Sequence, residues 1–391
     1  MTSARVYLDY NAGAPLRAEA RAAMNGALDG GGNASSVHAE GRSARGRIER
    51  ARGEIAALVG ADPRRITFTS GGSEANATVL SPAFLAAGRP LRVDRLLVGA
   101  TEHPSVLAGG RFSPDAMETI PVDGEGRIDL AALEARLVSL TGARERALVS
   151  VMAANNETGT VQPVAAVAEL ARAHGAISHA DAAQMAGRMP VSLDALGVDF
   201  LTFSSHKIGG PQGAGAIVAR LEDLMPRPLV TGGRQERGAR AGTENVAAIA
   251  GFGAAAVAAS RERDSLAPVW QCWRDGLIAK LSVITPGLVA FSTGTDRLPQ
   301  TLCVAVPGIG AETLVIGLDL EGVSLSSGAA CSSGKVGPSH VLAAMGVPTA
   351  LARGAVRVSF GWETRENDLD MFQSAWKRVV GRIRAAQGRA A

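Results

Sequence analysis

Residues 66–80 read ITFTSGGSEANATVL, and this stretch contains the strand, turn and helix from which the fold can be worked out. The apolar start predicts a strand, the two glycines predict a turn, and the following residues predict a helix. The first N–H groups of a helix have no partner within it and lie at the positive end of its dipole, so the turn is a candidate phosphate site. Taken alone, the motif would be better explained as a simple strand-to-helix turn. It lacks the lysine of a P-loop and the spacing of a dinucleotide fingerprint, which disfavours nucleoside triphosphates and NAD.

Strands and helices alternate in this way through the first two-thirds of the chain. Apolar residues recur at helical spacing in two stretches, 129–140 and 164–175. Short apolar runs predict six strands, at residues 65–69, 95–100, 146–153, 176–182, 199–204 and 215–220. Such alternation predicts an α/β fold with a mostly parallel sheet covered by helices, in which ligands bind at the carboxyl ends of the strands.

The pattern of predicted helices and strands changes after about residue 260. A charged, tryptophan-bearing helix over 261–281 leads into two strand-like runs, TLCVAVPG and AVRVSFG, and then a final amphipathic helix near 366–385. We therefore predict two domains: a large domain over residues 14–259, and a smaller α/β domain formed by residues 260–391 together with 1–13.

Composition excludes several classes of protein. The chain has 391 residues, of which 46% are hydrophobic and 20% charged, as in an ordinary globular protein. Its net charge of +3 is too small and too scattered to predict nucleic-acid binding. The longest uncharged run, from Asn245, predicts a buried helix rather than a membrane span. The N-terminus has no apolar segment of the signal-peptide kind, so we expect a protein without a leader.

Three cysteines, Cys272, Cys303 and Cys331, lie far apart and form no CxxC motif, which predicts a reducing, cytoplasmic setting. Cys272 is expected to be a half-buried structural thiol on a helix, and Cys303 a core residue of a strand. Neither has a histidine or carboxylate at metal-ligand spacing, so no metal site is predicted. Cys331 differs, because it lies in SSGAACSSG, a run of small residues that suits a thiol that must be reached or must move.

Two polar residues at predicted strand ends indicate chemistry. Lys207 leaves a strand into a glycine-rich turn, where burial disfavours its charged form and a neutral amine can form a Schiff base. Asp181 ends a neighbouring strand and could hold a protonated pyridine nitrogen. Singly, Asp181 is as well explained as a helix cap and Lys207 as a surface residue. Together with the turn at 70–73 they describe a pyridoxal phosphate site.

Three further side chains fit such a site. His103 follows a strand and could stack on a flat ring and transfer protons near neutral pH. Asn156 could donate a hydrogen bond to a ring substituent. Arg357 lies within an apolar strand and needs an anionic partner, for which a substrate carboxylate and an internal salt bridge are about equally good explanations.

These motifs together resemble the cysteine desulfurases, pyridoxal phosphate enzymes of the class V aminotransferase fold. The resemblance covers nearly the whole chain and includes YLDYNAGAP, GNASSVHAEGR, TSGGSEAN, TEHPSV, NNETGTVQP, DAAQ, SHKIGGPQGAGA, GGRQERGARAGTENV, SSGAACSSG and VRVSFG. It implies the aspartate aminotransferase-like fold of pyridoxal phosphate-dependent transferases. In that fold the large domain has a mostly parallel, seven-stranded sheet, and the smaller α/β domain carries the Cys331 loop.

The resemblance also implies roles for individual residues. Lys207 would bind the cofactor covalently, and His103 would stack on its ring and act in acid–base steps. The other cofactor-binding residues would be Gly72, Ser73, Asn156, Asp181, Gln184, Ser204, His206 and, toward the other subunit of a homodimer, Thr243. The substrate carboxylate would be held by Arg357 with help from Asn33. Two departures from the family pattern are NAGAP, where two threonines often precede the proline, and Gly72–Ser73, where alanine and threonine are common.

The implied reaction is the conversion of L-cysteine to L-alanine, with the sulfur passing to Cys331 as a persulfide. An acceptor protein, such as an iron–sulfur scaffold, would then receive it. Two alternatives remain open. Another enzyme of the fold, such as a selenocysteine lyase or an aminotransferase, would keep the cofactor without needing Cys331. A cofactor-free sulfur-binding or assembly partner would keep only the fold.

Overall fold

The computed structural model of the chain describes residues 5–328 and 339–390, so Cys331 and its loop lie outside the described residues. The described strands, in chain order, are β1 (Val6–Tyr7), β2 (Ile66–Thr69), β3 (Ala83–Ala86), β4 (Arg89–Arg92), β5 (Arg95–Gly99), β6 (Met117–Ile120), β7 (Ala147–Ser150), β8 (Ile177–Asp181), β9 (Phe200–Ser204), β10 (Gly215–Ala219), β11 (Leu224–Pro226), β12 (Val289–Ala290), β13 (Thr301–Ala305), β14 (Val323–Ser324), β15 (Ser326–Ser327) and β16 (Ala355–Ser359).

The helices range from single turns to one of 39 residues. In chain order they are α1 (Ala18–Gly30), α2 (Ala39–Val59), α3 (Gly72–Val79), α4 (Pro104–Leu107), α5 (Leu130–Gly142), α6 (Val164–Ala173), α7 (Leu193–Leu196), α8 (Val246–Ile284), α9 (Ala311–Leu320), α10 (His340–Ala344), α11 (Thr349–Ala352) and α12 (Glu366–Ala390). Short 3₁₀ turns lie at Pro63–Arg65, Pro114–Ala116, Ser205–Lys207 and Gln235–Gly238.

Seven strands form the main sheet, in the order β2-β10-β9-β8-β7-β5-β6. Strand β10 is antiparallel to both of its neighbours, and every other pair in this sheet is parallel. Strands β7, β8 and β9 are buried at every position, as expected for parallel strands covered on both faces. The expected mostly parallel, seven-stranded sheet is confirmed, and the carboxyl ends of β7, β8 and β9 meet at one edge.

Helices α2 and α8 cross against one face of this sheet and form its largest core. Ile55 of α2 and Phe252 of α8 are fully buried there, and Phe203 of β9 packs edge-on against Phe252. A Cβ at Gly253 would lie 2.6 Å from the Cα of Ala51, so the crossing helices need glycine at this position. The apolar stretch that begins at Asn245 is therefore a buried helix, as predicted.

A second core surrounds the four-stranded antiparallel sheet β12-β13-β16-β15. Trp376 of α12 and Trp270 of α8 are buried in it, and Val6 and Leu8 near the N-terminus join them. Helix α8 runs without a break through residue 260 and includes Pro268, where the sequence predicted two separate segments. Its first half packs on the large sheet and its second half on this core. The domain boundary at 259/260 stays a prediction.

A three-stranded sheet, β11-β3-β4, was not predicted from the sequence. Strands β3 and β4 form a hairpin whose two turn residues, Ala87 and Gly88, both have positive φ angles (47° and 74°). Such a turn fits the twist of a hairpin, but alanine does not mark it in a sequence in the way that Asn-Gly does. Within the described ranges, no helix is long and apolar enough to cross a membrane.

Candidate active site

A cavity of about 260 Å³ opens at the carboxyl ends of the central strands. It is lined by ten of the predicted site residues, namely Gly72, Ser73, His103, Asn156, Asp181, Gln184, Ser204, His206, Lys207 and Arg357. Seven further residues complete the lining: Asn11, Ala12, Asn76, Ser105, Met152, Ala154 and Ala183. The structure thus brings together side chains from stretches of sequence up to 346 positions apart, a span from Asn11 to Arg357.

One end of the cavity is formed by the N-terminus of α3, where the helix begins at Gly72. The preceding backbone lies close to the neighbouring strand, because a Cβ at Gly215 would be 2.5 Å from the carbonyl carbon of Gly71. The turn is held by Glu74, whose carboxylate accepts a hydrogen bond from the N–H of Ser70 at 2.9 Å. Arg240 donates to the same carboxylate at 2.9 Å. The first N–H groups of α3 therefore face the cavity on a fixed turn.

Ser204 and His206 lie beside this helix end. The Ser204 hydroxyl and His206 Nδ1 are 2.8 Å apart. Burial, together with the nearby charge of Lys207, lowers the pKa of His206 to about 4. His206 is therefore a neutral hydrogen-bonding group at neutral pH.

Asp181 ends β8 with both carboxylate oxygens engaged. Oδ1 accepts a hydrogen bond from the N–H of Ala183 at 2.9 Å, and Oδ2 accepts one from the side-chain amide of Asn76 at 2.8 Å. The residue is 8% exposed. A carboxylate held by two donors in a buried place keeps a fixed orientation.

Lys207 follows β9 in the 3₁₀ turn Ser205–Lys207, which directs its side chain across the cavity. Its Nζ donates to the carbonyl oxygens of Asn11 and Ala12, at 2.6 and 2.9 Å. Both of these partners are neutral.

His103 lines the cavity and caps the N-terminus of α4. Its Nδ1 accepts a hydrogen bond from the N–H of Ser105 at 3.1 Å and lies 2.8 Å from the Ser105 hydroxyl. Burial lowers the pKa of His103, while the charge of Asp181 opposes this shift. The predicted stacking and acid–base roles stay predictions, and the position on the cavity wall is consistent with both.

Arg357 lies on β16, the strand of the four-stranded sheet that reaches the cavity. Its Nη2 donates to Asp9 at 2.7 Å and its Nη1 to the carbonyl oxygen of Asn156 at 3.0 Å. The internal salt bridge that the sequence left open is therefore present. The guanidinium is 2% exposed, and its Nε has no hydrogen-bond partner among the described residues.

Arg188 was missed by sequence reasoning although it holds several site elements in place. It is buried and donates to the side-chain oxygen of Gln184, to the carbonyl oxygen of Tyr10 at 3.0 Å and to that of Lys207 at 3.1 Å. Burial, together with the charge of Arg357, lowers the pKa of Arg188 to about 9. The sequence around Arg188 contains no motif that would have revealed it.

Two buried carboxyl groups next to predicted site residues were also missed. Glu102 precedes His103 and accepts a hydrogen bond from the N–H of Met152 at 2.5 Å, and burial raises its pKa well above the usual range. Glu157 follows Asn156, and burial raises its pKa to about 7. Glu102 belongs to the motif TEHPSV and Glu157 to the motif NNETGTVQP. Their position next to a predicted site residue is the sequence feature that could have revealed them.

Two predicted residues lie outside the cavity. Thr243 lines a separate cavity of about 210 Å³ with Arg240 and Glu244. Asn33 is exposed, and its side-chain oxygen accepts a hydrogen bond from the N–H of Ser35 at 2.8 Å. Among the free cysteines, Cys303 is buried as predicted, whereas Cys272 is exposed on α8 rather than half-buried. No group of three or more potential metal-binding side chains occurs in the part of the chain described.

A lysine, a fixed carboxylate and an open helix N-terminus in one cavity define the class of pyridoxal phosphate-dependent enzymes with a mostly parallel sheet. The chain belongs to the class V aminotransferase family, whose sequence pattern matches residues 6–372. It is 40% identical over 388 residues to a cysteine desulfurase of Cereibacter sphaeroides, covering 97% of both chains.

Solved structures agree with this assignment. A NifS-like protein from Rickettsia africae superposes with a TM-score of 0.85 at 31% identity, covering 96% of this chain and 99% of the other. SspA in complex with cysteine superposes with a TM-score of 0.74 at 27% identity, covering 91% and 98%. The chain has the expected pyridoxal phosphate-dependent transferase fold.

The residues of the cavity fit pyridoxal phosphate, the cofactor of this family. The N-terminus of α3 offers backbone donors for a phosphate, Lys207 offers an amine for an aldehyde, and Asp181 offers a carboxylate for a ring N–H. A Cβ placed on Gly71 would meet no atom within 4 Å, so there is room in front of the helix end.

Proposed function

We propose that this chain is a cysteine desulfurase that converts L-cysteine to L-alanine and transfers the sulfur to Cys331. The observation that carries the proposal is the single cavity that combines Lys207, Asp181 and the α3 N-terminus with the buried cation Arg357. Full-length similarity to cysteine desulfurases supports the reaction, and SspA, which was solved in complex with cysteine, supports the substrate.

Each residue at the cofactor end has a stated task. When bound, pyridoxal phosphate supplies an aldehyde for amine exchange and a ring that withdraws electrons from the adjacent carbon. Lys207 would hold the cofactor through its amine. Asp181 keeps the ring nitrogen protonated, and Gly72, Ser73, Ser204 and His206 bind the phosphate. Asn156 and Gln184 would hydrogen-bond the other side of the ring, and His103 would stack on it and move protons at its Nε2.

Arg357 binds the substrate carboxylate at the other end. Its Nε is buried without a partner among the described residues, and an incoming carboxylate oxygen would satisfy it. Asn33 is proposed to assist, although it lies outside the cavity in the single chain.

Cys331 completes the reaction. Its thiolate attacks the sulfur of the bound substrate, and the carbon–sulfur bond breaks. The substrate sulfur remains on Cys331 as a persulfide, and the carbon skeleton takes up a proton and leaves as L-alanine. The residue lies outside the described residues, so its role rests on the sequence motif SSGAACSSG.

The test is to incubate the protein with pyridoxal phosphate, L-cysteine and a thiol reductant, and to measure alanine and sulfide. Cys331→Ala should retain the cofactor absorbance but release no sulfide, whereas Cys272→Ala, which removes an exposed cysteine, should be unaffected. Sulfide release by Cys331→Ala at the wild-type rate would contradict the role of Cys331.

Rival activities are separated by the same assay. Turnover of L-selenocysteine or of other amino acids, but not of L-cysteine, would favour a selenocysteine lyase or an aminotransferase. A protein that binds no pyridoxal phosphate would favour a cofactor-free assembly partner.

The assembly and the acceptor are further parts of the proposal. We expect a homodimer in which Thr243 reaches the phosphate of the other subunit, because Thr243 lies outside the cavity of its own chain. We also expect a sulfur-accepting protein, such as an iron–sulfur scaffold, and a cytoplasmic location. Sedimentation and co-purification test the first two, and fractionation of cells tests the third.

A further inference from the structure

A row of buried polar side chains runs behind the cavity, through the centre of the main sheet. It contains Ser150 at the end of β7, His179 on β8, Thr202 on β9 and Asn76 on α3. Each is at most 1% exposed. The proposed function assigns none of them a task, yet buried polar groups are costly unless they are hydrogen-bonded.

The direction of the hydrogen bonds can be worked out from the cavity end. Asn76 donates its amide NH₂ to Asp181 Oδ2 at 2.8 Å, because a carboxylate oxygen accepts hydrogen bonds. The second proton of that NH₂ goes to the Ser105 hydroxyl oxygen at 2.9 Å. The carbonyl oxygen of Asn76 therefore faces the other way and needs a donor, which is the Thr202 hydroxyl at 2.5 Å.

The same reasoning fixes the proton on His179. Thr202 has one hydroxyl proton and donates it to Asn76, so it accepts a hydrogen bond from His179 Nε2 at 2.9 Å. Burial lowers the pKa of His179 to about 4, so the ring is neutral and its Nδ1 carries no proton. Nδ1 then accepts from the Ser150 hydroxyl at 2.8 Å. In every hydrogen bond of the row, the acceptor thus lies on the side toward the cavity and the donor on the side away from it.

A second branch leads from Asn76 to His103. Because the Ser105 hydroxyl accepts from Asn76, its own proton points to His103 Nδ1 at 2.8 Å. The N–H of Ser105 also donates to that nitrogen, at 3.1 Å. With two donors facing Nδ1, the proton of the neutral His103 ring must lie on Nε2.

We infer that Asn76 is a positioning residue that orients Asp181 and, through Ser105, sets the Nε2–H tautomer of His103. The inference rests on the proposed cofactor site, since it concerns two residues expected to contact the ring from different sides. Its consequence is that Nδ1 of His103 is closed to protons and all proton exchange occurs at Nε2. The row Ser150–His179–Thr202 fixes the orientation of Asn76 from behind, because it supplies the donor that the Asn76 carbonyl oxygen requires.

The first test is ¹⁵N NMR of the wild-type protein, purified with its cofactor and labelled at histidine. The signals of His103 and His179 are assigned by their loss in His103→Gln and His179→Gln. Both rings should be neutral Nε2–H tautomers at neutral pH, since side-chain ¹⁵N shifts distinguish the two nitrogens. An Nδ1–H tautomer or a charged ring at either position would overturn the inference.

The second test removes single links. Thr202→Val keeps the shape but lacks the hydroxyl, so His179 should lose its single Nε2–H tautomer; Thr202→Ser should restore it. Asn76→Ala should lose the single tautomer of His103 and release pyridoxal phosphate about tenfold faster, as expected for a lost hydrogen bond to a charged group. Thr78→Val on the same helix is the matched control and should behave as wild type.

The outcomes separate the two proposals. If Asn76→Ala does not fold, the variants Thr202→Val and Thr202→Ser still test the inference. Wild-type tautomers in Thr202→Val would refute the chain of hydrogen bonds. Wild-type tautomers and cofactor release in Asn76→Ala would refute the positioning role. If the wild-type protein does not turn over L-cysteine, the proposed function is refuted. The tautomers expected for His103 and His179 do not depend on that result.

Discussion

The two ends of the cavity differ in how their charged groups are held. At the cofactor end, Asp181 receives hydrogen bonds from Ala183 and Asn76, and the polar groups behind it are paired through the sheet. The groups that meet the substrate are held differently. Lys207 donates to two carbonyl oxygens, and at the substrate end Arg357 has a buried Nε that no described residue satisfies.

This difference corresponds to two kinds of task. A ring that stays bound through many reaction cycles is best served by groups that are fixed in advance, because preorganised dipoles need no rearrangement during the reaction. A substrate that enters and leaves needs groups that can exchange partners. Lys207 would exchange its carbonyl partners during turnover, and Arg357 would gain a partner when a carboxylate arrives.

The largest expected effect follows from removing the exchangeable amine. Lys207→Ala should reduce sulfide release from L-cysteine below detection, because no other described side chain in the cavity carries an amine. The cofactor should also be lost when the variant is denatured and filtered. Lys280→Ala, which removes an exposed lysine, is the control. Comparable turnover by the two variants would show that Lys207 does not hold the cofactor.

Arg357→Lys tests the cation at the substrate end. Lysine keeps the charge but cannot hold a carboxylate with two parallel N–H donors, so the KM for L-cysteine should rise about 10- to 100-fold. Cofactor affinity should be unchanged, since the residues of the cofactor end are not altered. Arg353→Lys, at an exposed position, should have no effect. A fall in cofactor affinity with an unchanged KM would show that Arg357 belongs to the cofactor end instead.

Much of the fold could be predicted because the sheet is buried on both faces. Six of the seven strands were recognised as apolar runs, and their ends differ from the prediction by at most three residues, the largest difference being at β7. The seventh, β6, is four residues long, half-buried and at the sheet edge, so its sequence METI carries little signal. The β3–β4 hairpin was missed because its turn is Ala-Gly, and local turn chemistry was the only cue.

The site was predictable where chemistry alone marks a residue. Lys207 and Asp181 were recognised because a charge at a buried strand end requires an explanation. Asn76 and Thr202 were missed because neutral polar residues become informative only when their partners, which lie more than 100 positions away, are known. Pairing across the sheet decides their function, and no spacing rule in one sequence reveals it.

Burial of Glu157 makes the stability of the folded chain depend on pH. Burial raises its pKa from 4.5 to about 7, so the folded state binds this proton more tightly than the unfolded chain does. Its stabilising contribution is complete below pH 4.5 and is lost as the pH rises through 7. The free energy of unfolding of the wild type should therefore fall relative to Glu157→Gln across this range, by up to about 3 kcal/mol.

Denaturant unfolding at several pH values measures this difference. Glu134→Gln, at an exposed position, should parallel the wild type at every pH. Parallel curves for the wild type and Glu157→Gln would mean that Glu157 titrates alike in the folded and unfolded states.

The smallest effect is expected from Asp9, which already occupies one nitrogen of Arg357. The pair is partly exposed on the Asp9 side, whose side chain is 18% accessible. Because Asp9 and the substrate carboxylate compete for the same cation, Asp9→Asn should lower the KM for L-cysteine by about two- to fivefold. Asp319→Asn, which removes one member of an exposed ion pair with Arg5, should leave KM unchanged. A rise in KM for Asp9→Asn would mean that Asp9 orients Arg357 rather than competing with the substrate, and the substrate end would then be as fixed as the cofactor end.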